Sequence, residues 1–151
     1  MTTHCTHSTS SVDDCRIVRL DKHHHENGNL TVVDNGTDAP FNVKRVYYLY
    51  DVPAGEKRGG HSHHESLALI VAVSGSFDVS VDDGVNKKNF TLNRPNSALY
   101  LTPGIWRVLD NFSSGSVCLV LTSTPFSEAD YVRDYDQFLE LTACKRVNQS
   151  S

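Results

Sequence analysis

Short strand-like runs, each cut off by a turn signal, limit what this chain can fold into more than any other feature. "FDVSV" (77–81) alternates apolar and polar residues, as a half-buried strand does. "CRIVRL", "NLTVVDN", "VKRVYYLYDV", "SLALIVAVSG", "VNKKNFTLN", "SALYLTP", "IWRVLDNF" and "SVCLVLTST" are further strand candidates. Asp83-Gly84 favours a tight hairpin turn, and "NRPNS" and "TPG" mark other turns. Only "SEADYVRDYDQFLELTA" has helical spacing: Tyr131, Tyr135, Phe138 and Leu139 recur at three and four, behind Ser127 as a possible N-cap. Many short strands and one late helix predict an all-β sandwich or small barrel. Exposed sheet edges make a homodimer the default assembly.

At 151 residues the chain is long enough for one domain with a real core. Residues 1–14 are Ser/Thr-rich and poor in large apolar groups, and are expected to be a disordered or loosely attached arm. The domain is expected over 15–143, with a tail from 144 to 151. "DKHHHENGNL" (21–30) reads as a polar loop, its three histidines solvated. A net charge of −4 argues against a nucleic-acid partner. No apolar core of the signal-peptide kind stands at the N-terminus and no apolar run approaches a membrane helix in length, so a cytoplasmic protein with no membrane partner is expected. Cys5, Cys15, Cys118 and Cys144 show no CxxC spacing and read as reduced thiols.

The chemistry concentrates at "GEKRGGHSHHES" (55–66). His61 and His63 are two apart, which on a strand puts both on one face and His64 on the other. This arrangement, with the turn "PGIWR" (103–107) later on, resembles the two motifs of the cupins. The cupin ligand positions are altered, however. Leu67 and Ala68 stand where a carboxylate is expected, Glu65 is out of register, and Arg107 stands where the third histidine would be. A stable transition-metal site needs three or four converging donors, and a guanidinium repels a cation. The reading is therefore of no metal and no other cofactor. Imidazole titrates near neutrality, so proton transfer is the sharper function for the pair. Polar side chains at a barrel mouth are the plainer one.

"FNVKRVYYLYDVPAGEKRGGHSHH", "LYLTPGIWRVLDNFSSGSVCLVLTS" and "ADYVRDYDQF" together resemble the sugar 3,4-ketoisomerases that act on dTDP-4-oxo-6-deoxyglucose. The resemblance runs from about residue 29 to 139. It implies a jelly-roll cupin barrel or sandwich with a short C-terminal helix, forming a homodimer without a required metal. It implies an isomerase that moves a keto group from C4 to C3 of a dTDP-linked 4-oxo-6-deoxy sugar, ahead of installation of a 3-amino group. By position, His61 matches the catalytic base, His63 a second essential histidine and Tyr47 a proton-moving tyrosine. Arg45 and Arg58 match arginines near the diphosphate or sugar.

Residue chemistry adds Arg107 as a holder of the diphosphate or an enediolate oxygen. Tyr100 and Trp106 are candidate stacking faces for thymine, and Asn27 is a further candidate because family members vary there. Of the neighbours Tyr47 and Tyr48, one should face in and one out. The gluco-configured product is expected, since an arginine at 107 removes a proton carrier. Three alternatives stand beside this reading: a non-catalytic nucleotide-sugar-binding cupin, a metal-dependent cupin enzyme, and a dTDP-4-keto-sugar 3,5-epimerase.

Overall fold

The structure, a computed structural model, describes residues 10–149. The strands are β1 (Arg16–Arg19), β2 (Lys22–His25), β3 (Gly28–Thr31), β4 (Arg45–Leu49), β5 (Arg58–His63), β6 (Ala68–Ser74), β7 (Phe77–Asp82), β8 (Lys87–Leu92), β9 (Ser97–Leu101), β10 (Trp106–Asp110), β11 (Val117–Thr122) and β12 (Tyr131–Val132). One helix, α1 (Tyr135–Gln149), follows. Two five-stranded sheets, ordered β1-β9-β6-β11-β4 and β12-β5-β10-β7-β8, form a jelly-roll sandwich of the cupin type rather than a closed barrel.

Strand alternation fills the space between the sheets. Ile70 and Ala72, Phe77, Val79 and Val81, Leu99 and Leu101, and Cys118 and Val120 all point into it. Each large side chain buried there contributes about 1.5–3 kcal/mol of transfer free energy. Leu69 and Val71 of β6, Ala98 of β9 and Leu121 of β11 pack on the other face of the first sheet, with Leu20, Ala39 and Phe41. β6 is therefore covered on both faces, which accounts for its unbroken apolar sequence.

Five sequence expectations change. Residues 1–9 of the expected arm lie outside the described residues, but its end is packed. Ser11 caps a 3₁₀ turn, Val12–Asp14, and Val12 is buried with its N–H donated to Asp83 Oδ2 at 3.0 Å. The tail expected from residue 144 continues α1 as far as Gln149. The polar loop is a hairpin, β2 paired with β3, and His24 Nδ1 meets Asn29 Oδ1 at 2.7 Å. Both of its faces are solvated, so no apolar alternation marked it. Cys15 and Cys118 are free and buried, whereas Cys144 is disulfide-bonded; Cys5 lies outside the described residues.

The expected helix also starts later. Ser127 opens a 3₁₀ turn, Glu128–Asp130, with no side-chain cap bond, and Tyr131–Val132 then pairs with the edge of β5. Only from Tyr135 is the chain helical. The Tyr135 hydroxyl donates to Asp82 Oδ2 at 2.6 Å, and Phe138 is buried beside Trp106.

A bulge in β5 sets up the site. Arg107 is opposite His61 and Leu109 is opposite Arg58, so two steps along β10 match three along β5. Without the extra residue, Arg58 and His61 would face opposite sides of the sheet. Gly59 absorbs the extra residue at φ +79°, and a Cβ there would meet Leu109 Cδ1 at 2.9 Å. Gly59→Ala is expected to destabilise the fold by about 1–3 kcal/mol, from left-handed strain and the Leu109 clash. Urea unfolding with an unchanged m-value would show it; a shift under ~0.5 kcal/mol would mean the bulge relaxes freely.

Candidate active site

A cavity of about 510 Å³ lies between the sheets, lined by the edge strand β4 of one and by β5 and β10 of the other. Strand parity places the lining side chains of β4 and β10. On β4, Arg45, Tyr47 and Leu49 face in, while Val46 and Tyr48 face out and are exposed. On β10, Arg107 and Leu109 face in. β5 supplies Arg58 and His61, with Lys57 just before it. Phe126, Tyr131 and Arg133 close one side.

His61 and His63 share a face, as their spacing requires, with ring centroids 4.8 Å apart and planes nearly perpendicular. Tyr131 lies against both rings, at 5.0 and 4.4 Å. The two histidines are not equivalent. His61 lines the cavity, and its Nε2 is buried without a hydrogen-bond partner. His63 lies behind it, 2% exposed, with Nδ1 2.8 Å from Asp130 Oδ2. A carboxylate only accepts, so Nδ1 of the neutral ring carries the hydrogen.

Arg107 dominates the electrostatics. It is 2% exposed, donates from Nη2 to the Ile105 carbonyl at 3.2 Å, and leaves Nε unpartnered. Among the described residues no carboxylate forms an ion pair with it. Burial, then the Arg107 charge, pushes His61 down to about 2. The same two causes bring His63 down to about 4, with Asp130 pulling the other way. Burial raises the Tyr47 phenol, partly offset by Arg107. For Asp130, burial works to raise the carboxyl, but bonds from Ser66 Oγ, the Glu65 N–H and His63 outweigh it and hold it below the usual range.

Arg45, Lys57, Arg58, Arg107 and Arg133 all line the cavity, and no carboxylate does. Arg45 is held by Thr122 Oγ1 at 3.1 Å, and Arg133 lies over the Tyr131 ring at 4.2 Å. A chain of net charge −4 thus builds a strongly cationic pocket. Among the described residues no three His, Cys, Asp or Glu side chains converge as metal ligands would. Such a site suits an anion with a polar, enolisable part beyond it.

His61, Tyr47, Arg45, Arg58 and Arg107 come together as expected, with His63 directly behind. Tyr100, Trp106 and Asn27 do not join them. Leu99 and Leu101 face the core, so Tyr100 faces outward, stacked on Phe41 at 6.3 Å beneath Arg16. Arg107 faces in, so Trp106 faces out against Tyr135 and Phe138. Asn27 sits in the exposed β2–β3 turn. Sequence reasoning missed Asp130, Tyr131 and Arg133 as site residues, because their stretch matched a helical period.

The fold and the site define a cupin whose cup is lined for an anion and has histidines in the wall. The chain belongs to the FdtA family: the description "WxcM-like, C-terminal" matches residues 13–143, and this is a family of isomerases. A curated relative from Aneurinibacillus thermoaerophilus, TDP-4-oxo-6-deoxy-alpha-D-glucose-3,4-oxoisomerase, is 35% identical over 128 residues, covering 85% of this chain and 92% of the relative. A 3,4-ketoisomerase from Helicobacter canadensis superposes with a TM-score of 0.84 at 38% identity, covering 86% of this chain and 98% of that one. A mutant of the 3,4-ketoisomerase QdtA from Thermoanaerobacterium thermosaccharolyticum, in complex with TDP-4-keto-6-deoxyglucose, superposes at 0.85 with 30% identity, covering 87% and 95%.

The depressed histidines carry a sign for stability. Unfolded imidazoles bind protons below about pH 6.5, whereas the folded pair stays neutral to lower pH, so stability is fully present above 6.5 and lost as pH falls toward 4. His63 alone accounts for about 3 kcal/mol over that window. Urea unfolding at pH 7.0 and 4.5 is expected to show a drop that shrinks by more than half in the His61→Asn/His63→Asn variant; an equal drop in both would refute the assignment.

Proposed function

We propose that the chain is a 3,4-ketoisomerase of TDP-4-oxo-6-deoxy-D-glucose, working by histidine acid–base catalysis. The observation that carries this reading is a buried, unpartnered His61 near a buried Arg107 that has no counter-ion, in a cavity whose other charged groups are all cationic. The hydrogen at C3 lies α to the C4 ketone. His61 takes it as a proton, and the C–H electron pair passes through the C3–C4 bond onto the C4 oxygen. Arg107 stabilises the resulting enediolate. Tyr47 relays a proton between the O3 and O4 oxygens. Protonation at C4 then leaves a ketone at C3. No metal or redox cofactor enters these steps.

The mouth cations Arg45, Lys57 and Arg58 hold the diphosphate, while Arg133 is already engaged by Glu128 at 2.6 and 3.0 Å. Arginine does not donate protons at neutral pH, so a water on the face opposite His61 delivers the C4 proton, the proton held by His61 returns to solvent, and the product keeps the gluco configuration. The 3-oxo product suits an aminotransferase making a 3-amino-3,6-dideoxy sugar, in the cytoplasm where nucleotide sugars are made. The exposed Val46, Tyr48 and Tyr50 lie on and just beyond edge strand β4 and offer an apolar surface for a homodimer.

NMR of the product formed from TDP-4-oxo-6-deoxyglucose tests activity, regiochemistry and C4 configuration together. Unchanged substrate, or deuterium entering C5 as well as C3, would overturn the reading in favour of a binding protein or an epimerase. His61→Asn is expected to lower kcat at least 10³-fold with TDP affinity within about twofold; retention of most of kcat would remove His61 as the base. Arg58→Ala is expected to raise KM and the TDP Kd by about 10-fold with little change in kcat, and unchanged values would take Arg58 out of the diphosphate site.

A further inference from the structure

The two histidines differ in what holds them. His61 has the cavity on one side and no partner on Nε2. His63 does not line the cavity, and its Nδ1 is tied to Asp130 Oδ2. Asp130 is in turn fixed from three directions. Ser66 Oγ donates to Oδ2 at 2.5 Å, the Glu65 N–H donates to Oδ1 at 2.7 Å, and the Asp130 carbonyl accepts the His64 N–H at 2.9 Å. Ser66 is fully buried and also hydrogen-bonded to Thr124 Oγ1. The segment that carries Asp130 is pinned beside β5 by the pairing of Tyr131 with His63 and Val132 with Ser62. A carboxylate so restrained cannot swing into the cavity, and it does not line the cavity.

We propose that Asp130 is a positioning residue that acts through His63: it holds that ring in the Nδ1–H tautomer and at a fixed angle to His61, so that the His61 ring stays aimed at the cavity and gains a stabilising dipole when it takes a proton. His63 is then a positioning residue as well, and His61 alone touches the substrate. This rests on the ketoisomerase reading for its effect on rate, but not for the tautomer. The charged and titratable groups around the pair are Arg45, Arg107, Arg133, Tyr47, Tyr131 and Asp130. Asp130 is the carboxylate among the groups acting on His63, and its bond opposes the downward push of burial and Arg107.

A double-mutant cycle on kcat separates positioning through His63 from a general structural role. Asp130→Asn in the native background is expected to lower kcat about 10- to 100-fold, with KM and TDP affinity nearly unchanged. In a His63→Asn background the same substitution is expected to have less than a twofold effect, because the group it acts through is gone. Costs that multiply in the double variant would overturn the proposal. Ser66→Ala, which removes one hydroxyl from the same carboxylate, serves as the second arm if Asp130→Asn lowers the melting temperature.

The tautomer is read separately, by ¹⁵N correlation of the imidazoles in the substrate-free protein. His63 is expected to carry its hydrogen on Nδ1, and to shift toward the Nε2–H form in Asp130→Asn. An Nε2–H tautomer in the native protein would overturn the proposal. Because this measurement needs no turnover, a protein that failed to isomerise the sugar would sink the functional reading and leave the positioning of His63 still decided.

Discussion

A desolvated guanidinium with no carboxylate to neutralise it organises this site. Arg107 is inside the sandwich because β10 is clamped between β5 and β7, and the alternation that sends Leu109 into the core sends Arg107 there too. Burying a charge without a counter-ion costs several kcal/mol, and one neutral carbonyl recovers only part of it. The fold tolerates that cost at the point where an anion would remove it. The same charge adds to burial in keeping His61 and His63 neutral and works against burial at the Tyr47 phenol. Burial and this one side chain therefore act together on the groups around it.

The carboxylates are placed in a complementary way. Asp82 and Asp83 lie at the β7–β8 turn, where they receive the Tyr135 hydroxyl and the N–H groups of Val12, Gly84, Val85 and Asn86. They tie the N-terminal turn and α1 to the sheet and stay out of the cup. Asp130 reaches the histidines only from behind. Where a cupin that binds a cation gathers acidic and imidazole donors, this one has Leu67, Ala68 and Arg107 at the corresponding positions. A similar frame, with one ligand position turned into a cation, selects anions instead.

How much of this could be read in the sequence depended on parity. The two-residue spacing of His61 and His63, and the alternation through Arg45-Val46-Tyr47-Tyr48, held because a strand of period two leaves no choice of face. That rule also shows why Arg107 and Trp106 cannot both point into the cup, and why Tyr100, between Leu99 and Leu101, cannot. Arg58 and His61, three apart, share the cavity only through the bulge at Gly59, which no alternation reveals. Asp130 and Tyr131 were hidden by a coincidence of spacing: Tyr131, Tyr135 and Phe138 fit one helical face, yet the first belongs to an edge strand. The β2–β3 hairpin left no apolar trace because neither of its faces is buried.

His61 is a weak base for removing a carbon-bound proton, first because it is buried and then because cations surround it. After burial, the three surrounding cations Arg107, Arg133 and Arg45 disfavour imidazolium. In the proposed reaction, a diphosphate at the mouth and negative charge growing on a sugar oxygen beside Arg107 would offset those cations, so proton affinity at His61 would rise as the reaction proceeds. In water a histidine would compete with solvent for protons throughout. In the proposed reaction the imidazole stays unprotonated until an anionic sugar arrives, and the charge forming on the enediolate offsets the charge forming on the ring.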